Sequence, residues 1–155
     1  MKLNVDAAFD VDLGSGATGA IIRDAAGMFI ACCSTTLPSV EDVSTAEALA
    51  LKNGLALAIE VGCNRILIES DCLEVIEVME SGGNSIGAAA AIYENITFLC
   101  RNLSHVLFSH CPREANSAAH TLASKAEGTQ FTMWHEEPPD FLLAIIMDDV
   151  SVFAK

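Results

Sequence analysis

With 155 residues, 52% of them apolar but only 6% aromatic, the chain has material for one core of Ala, Leu, Ile and Val, which excludes a disordered protein. No run of 18 apolar residues occurs, which excludes a membrane-spanning helix, and six cysteines (Cys32, Cys33, Cys63, Cys72, Cys100 and Cys111) without a CxxC pair form no zinc framework and are expected as reduced, mostly buried thiols. The formal charge is −13 and the cations Lys2, Arg23, Lys52, Arg65, Arg101, Arg113, Lys125 and Lys155 stand singly, so a basic stripe for phosphate is missing and only weak nucleic-acid binding is expected.

The segment MKLNVDAAF has no signal-peptide hydrophobic core, so an intracellular chain, or a piece of something larger, is expected. Residues 3–9 alternate, with Leu3, Val5, Ala7 and Phe9 on one face and Asn4, Asp6 and Ala8 on the other, which predicts a strand with one polar side. A turn over 10–16, a strand over 17–23, a tight reversal over 24–27 and a strand over 28–36 follow. Short connections between three adjacent strands make an antiparallel meander. After Pro38 the period changes: Ala48, Leu51, Leu55 and Ile59 predict an amphipathic helix over 45–61, ending at Gly62.

Ile66-Leu67-Ile68 reads as a short apolar strand, suited to a parallel position covered on both faces. Helices are predicted over 72–80 and 88–101 with Gly82-Gly83 between them, then a fifth strand over 106–108 and a last helix over 114–127, ending at Gly128. The whole is an α/β domain over 1–128, followed by an irregular arm over 129–155, with Trp134 and Pro138-Pro139, that packs on the domain.

Three acids occupy unusual places. Asp6 lies inside an apolar strand, where Asp is disfavoured unless the face is solvated. Glu47 begins the buried helical stripe, although Ser44-Thr45-Ala46-Glu47 also reads as a capping box. Asp71 directly follows an apolar strand and could cap the next helix. Acids in the first strand, at the start of the first helix and at the carboxyl end of the next strand can converge. Three converging carboxylates repel unless a cation sits among them, and an all-oxygen set suits Mg²⁺ or Mn²⁺.

Five blocks, Asn4-Val-Asp-Ala-Ala-Phe9, Gly19-Ala-Ile-Ile-Arg-Asp24, Ala46-Glu-Ala-Leu-Ala-Leu51, Ile68-Glu-Ser-Asp-Cys72 and Arg113-Glu-Ala-Asn-Ser-Ala-Ala-His-Thr-Leu-Ala123, stand in this order. Together they resemble the ribonuclease H family over about residues 3–127, and more narrowly its plant members related to non-LTR retroelements. The resemblance implies a ribonuclease H-like fold with a five-stranded mixed sheet, the meander plus parallel strands, flanked by helices. It implies endonucleolytic cleavage of the RNA strand of an RNA–DNA hybrid by two divalent ions about 4 Å apart. Asp6, Glu47 and Asp71 match the first three metal-site carboxylates, His110 the loop histidine associated with product release, and Asn116 the motif asparagine.

Two departures from that pattern matter. His120 stands where the fourth acid is usual, one turn beyond Asn116, and imidazole is a poor Mg²⁺ ligand. The basic, Trp-bearing segment expected between the middle helices is replaced by Gly82-Gly83-Asn84-Ser85 and alanines. A catalytically impaired binding or interaction module is the alternative these departures raise. Ile145-Ile-Met-Asp-Asp-Val150 resembles the paired-aspartate strand of polymerases, but the rest of a polymerase has no room here. Asn95-Ile-Thr97 is a glycosylation tripeptide without meaning outside a secretory route.

Overall fold

The computed structural model describes residues 1–128 and 131–153, without the side chains of 149–153. Its centre is the meander: β1 (Lys2–Asp10), β2 (Ser15–Arg23) and β3 (Phe29–Leu37) pair antiparallel in sequence order. The chain then crosses over through α1 (Val43–Glu60) to β4 (Arg65–Ser70), which pairs parallel with β1. Two further helices, α2 (Leu73–Glu80) and α3 (Ala90–Cys100), lead to β5 (His105–His110), parallel to β4. A 3-10 turn, Arg113–Asn116, precedes α4 (Ser117–Ser124). Among the described residues, no helix is long and apolar enough to cross a membrane.

The sheet has six strands, not the five expected, in the order β5-β4-β1-β2-β3-β6. The sixth, β6 (Phe131–His135), lies in the arm taken as irregular and pairs antiparallel with the free edge of β3. It is followed by a 3-10 turn, Asp140–Leu142, and α5 (Leu143–Phe153). The Asp-Asp tract therefore belongs to a helix and not to a polymerase-like strand. Thr129, Gln130, Ala154 and Lys155 of the predicted arm lie outside the described residues.

Two helical layers cover the sheet. On one face Leu3, Val5, Ala20, Ile22 and Ile68 pack with Leu51, Leu55 and Ala58 of α1 and Ile96 of α3. On the other, Ile21 and Cys32 meet Ala118 and Leu122 of α4, Leu142 of the second 3-10 turn and Ile146 of α5. Each fully buried aliphatic side chain contributes about 2 kcal/mol on leaving water, so the side of β1 read as polar is as dry as the other. Asn4 and Asp6 are both buried.

Two glycines set how closely the helices approach. A Cβ on Gly54 of α1 would sit 2.6 Å from Val5 Cγ1. One on Gly19 of β2 would sit 2.3 Å from the Ala119 carbonyl oxygen and 2.7 Å from the Ala123 nitrogen. Backbone atoms cannot swing aside as a flexible side chain can, so α4 lies directly on β2 only because residue 19 has no side chain. Gly19 is the register partner of Asp6, and this approach brings α4 to the acid.

Helix starts differ from expectation in a way that bears on the acids. The N-cap of α1 is Asp42, whose carboxylate accepts from the Thr45 N–H at 2.7 Å. The capping box at Ser44 is therefore not formed, and Glu47 has no capping duty. The N-cap of α2 is Cys72, not Asp71, and makes no side-chain cap. The last predicted helix is shorter, its first turn being the tighter 3-10 turn that ends at Asn116.

Candidate active site

Parallel register builds the site. Val5 of β1 lies beside Ser70 of β4, and Ser70 beside His110 of β5. One step further along the chain in the first two strands come Asp6 and Asp71. These acids and His110 thus meet where β4 and β5 end while β1 continues into its hairpin. Glu47 enters from the second turn of α1 and His120 from α4. Asp6, Glu47, Asp71, His110 and His120 line one open cleft of about 760 Å³.

One carboxylate oxygen from each of Asp6, Glu47 and Asp71 lies within 4.8 Å of the others. Asp6 is only 4% and Glu47 8% exposed. Burial, followed by the charge of Asp71, raises the pKa of Asp6, against hydrogen bonds from the Ala7 N–H and His120 that lower it. Burial and then the charges of Asp6 and Asp71 push Glu47 up to about 9. Glu47 Oε2 is buried and receives no hydrogen bond, an arrangement that costs about 1–3 kcal/mol when nothing compensates it. An all-oxygen donor set, close spacing and an orphaned buried oxygen fit a hard divalent cation.

His120 Nδ1 lies 3.1 Å from Asp6 Oδ2. A carboxylate only accepts, so Nδ1 is the donor, and Nε2 faces Ser124 Oγ at 3.4 Å. The half-exposed imidazole thus holds the Asp6 carboxylate rather than adding a fourth anionic oxygen. His110 Nε2 lies 3.2 Å from the Asp71 backbone carbonyl, and a carbonyl only accepts, so that nitrogen is the donor. His110 is exposed at the mouth of the cleft.

A second polar set sits behind the acids. Asn116, buried, donates to the Val5 carbonyl at 2.8 Å and to Asp71 Oδ1 at 3.3 Å. Its own oxygen accepts from Asn4 Nδ2 at 3.1 Å. Sequence reasoning had singled out Asn116 but not Asn4 or Arg23. The available signal was that Asn4 shares its strand face with Asp6, two residues away.

A three-layer α/β/α domain whose meander, crossover helix and parallel strands bring three acids to the strand ends is a ribonuclease H-like fold. The chain belongs to the reverse transcriptase-like family, whose model matches residues 4–126. In its fold it is similar to ribonuclease H1 of Halobacterium salinarum, with a TM-score of 0.72 and 22% identity over 81% of this chain and 95% of that one. The N-terminal ribonuclease H domain of a Mycobacterium tuberculosis protein superposes with a TM-score of 0.74 and 20% identity, covering 83% of this chain and 100% of that one. LC11-RNase H1, solved in complex with an RNA/DNA hybrid, gives a TM-score of 0.73 and 18% identity, with coverage of 81% and 94%. No curated protein matches the chain.

Proposed function

We propose that this chain is a divalent-metal-dependent nuclease that cuts the RNA strand of RNA–DNA hybrids, from the plant branch of the family related to non-LTR retroelements. The carrying observation is the triad. Asp6, Glu47 and Asp71 offer three oxygens within 4.8 Å of one another, two of the acids are buried, and Glu47 Oε2 has no hydrogen-bond partner among the described residues. That charge is expensive without a cation and useful with one. The hybrid held by LC11-RNase H1 supports the choice of substrate class.

Asp6, Glu47 and Asp71 would hold Mg²⁺ or Mn²⁺, which supplies charge neutralisation of the scissile phosphate and acidifies the attacking water. The chain's own residues arrange the rest. His120 keeps Asp6 Oδ2 facing the cleft through its Nδ1–H. His110, exposed at the cleft mouth and tied through Nε2 to the Asp71 carbonyl, is placed to touch the product side of the bound strand. With a formal charge of −13, the protein gives the hybrid little long-range attraction, and weak binding follows.

Cleavage of an end-labelled RNA–DNA hybrid at low salt, with Mg²⁺ and then Mn²⁺, tests this reading beside Asp71→Asn. Metal-dependent cleavage that drops to background in Asp71→Asn supports it. No cleavage by folded wild type with either metal overturns it. The pairing of His120 with Asp6 favours one competitor, a ribonuclease H-like module that binds nucleic acid without cutting it. That module would shift the hybrid in a gel, uncut, in the presence of Mn²⁺.

A further inference from the structure

The hydrogen bond on Asp71 has a sense that is decided three residues away. Asn116 can meet the Asp71 carboxylate with its NH₂ or with its oxygen, and only the first is attractive. Its oxygen is turned away because Asn4 Nδ2 donates to it at 3.1 Å. Asn4 presents NH₂ in that direction for two reasons. Arg23 Nη2 reaches Asn4 Oδ1 at 3.4 Å, and a guanidinium has donors only. Glu69 Oε1 receives the second Asn4 Nδ2 proton at 3.2 Å, with Lys2 Nζ 3.4 Å from the same oxygen, and a carboxylate has acceptors only. Asn4 is 1%, Asn116 1% and Arg23 6% exposed, so water cannot readily replace a partner and a reversed amide would leave buried groups unpaired.

The backbone has a device for this. β1 and β2 pair in unbroken register, Ile21 beside Asn4 and Arg23 beside Lys2, so strand alternation sets Arg23 on the sheet face of Asn4. The shift between Ile22 and Arg23 in the pairing with β3 leaves that register intact. Arg23, Asn4, Lys2 and Glu69 line a second cavity of about 660 Å³, separated from the first by His110, Cys111 and Pro112.

We infer that Arg23 and Asn4 are positioning residues for the metal site: through Asn116 they fix an N–H donor on Asp71 Oδ1 and hold that carboxylate toward Asp6 and Glu47. The inference rests on the triad being a cation site, as proposed above. Neither residue lines the cleft of the acids. Their effect is on how well Asp71 is presented.

Calorimetric titration of Mn²⁺ into the metal-free protein tests the relay without using activity. Asn4→Leu, close in volume and without polar atoms, is expected to weaken Mn²⁺ binding about tenfold. In an Asn116→Ala background the same change should alter affinity less than about twofold, because the relay is already cut. A purely structural role would lower the melting temperature in both backgrounds and leave the affinity alone. Should Asn4→Leu fail to fold, Arg23→Lys and Arg23→Gln decide: Lys keeps the donor-only end and should bind like wild type, whereas Gln can offer its oxygen and should bind roughly threefold more weakly. Equal Mn²⁺ affinity in wild type and folded Asn4→Leu, or in the two Arg23 variants, overturns the relay and leaves the triad standing. Wild type without saturable Mn²⁺ binding, or binding that survives Asp71→Asn, overturns the triad and the relay with it.

Discussion

Glu47→Gln should make the metal-free protein more stable at neutral pH. Burial and the charges of Asp6 and Asp71 hold the Glu47 carboxyl near 9 in the fold, against an ordinary value of 4.5. A group whose folded pKa is raised contributes fully below its unfolded value, and that contribution is lost as pH rises toward the folded one. Between 4.5 and pH 7 the loss is about 3 kcal/mol, at roughly 1.36 kcal/mol per unit. Gln imitates the protonated acid, keeps a donor for Asp6 and does not titrate. The variant should therefore match wild type near pH 5 and melt about 6–12 °C higher at pH 7. Melts followed by circular dichroism in EDTA, from pH 5 to 8, give the comparison. Millimolar Mg²⁺ should raise wild type and narrow the gap, because only the carboxylate gains from the cation. A gap that stays constant with pH, or a wild type that gains on the variant as pH rises, refutes the account of Glu47.

Three further predictions concern the frame around the acids. Gly19→Ala sets a Cβ 2.3 Å from the Ala119 carbonyl oxygen, and moving α4 to relieve it should cost about 3 kcal/mol in urea unfolding. Leu142→Ala removes a fully buried side chain from the cluster around Ile21, Cys32 and Leu122. It should lower stability by about 3 kcal/mol in a single transition shared with the rest of the chain, whereas an arm that unfolds on its own would give two transitions. Burial raises the thiol pKa of Cys32, and holds that of Cys33 at about 12. A colorimetric thiol reagent at pH 8 should label half-buried Cys72 and Cys100 first and reach Cys32 and Cys33 only on denaturation.

Much of the fold was legible in the sequence because its signals are local. Alternation along Leu3–Val5–Ala7–Phe9, the turn residues between the first strands and the stripe through Ala48, Leu51 and Leu55 each depend on neighbours a few residues apart. β6 was not legible for the opposite reason. Its five residues alternate only weakly, stand beside Glu136-Glu137-Pro138-Pro139, and become a strand by pairing with β3 about a hundred positions earlier. Site residues divide in the same way. Asp6, Glu47 and Asp71 were found by their places in elements, and parallel register then carried Asp6 to Asp71. Ser44-Thr45-Ala46-Glu47 suggested a cap because Asp42, the residue that performs it, lay outside the four-residue pattern. Asn4, Glu69 and Arg23 escaped notice because their meaning lies in which atom faces which, and no spacing rule encodes that.

The pairing of β6 with β3 also has a consequence in time. Ribosomes make the β3 edge long before they make its cover, and at roughly 5–20 residues per second several seconds separate Leu37 from Phe131. Throughout that interval the nascent chain carries a bare strand edge, with Ile21 and Cys32 still lacking Leu142 and Ile146 above them. Such an edge recruits any unpaired strand within reach. Slow translation late in this message should therefore lower soluble yield, and holdase chaperones that shield the β3 edge should restore it.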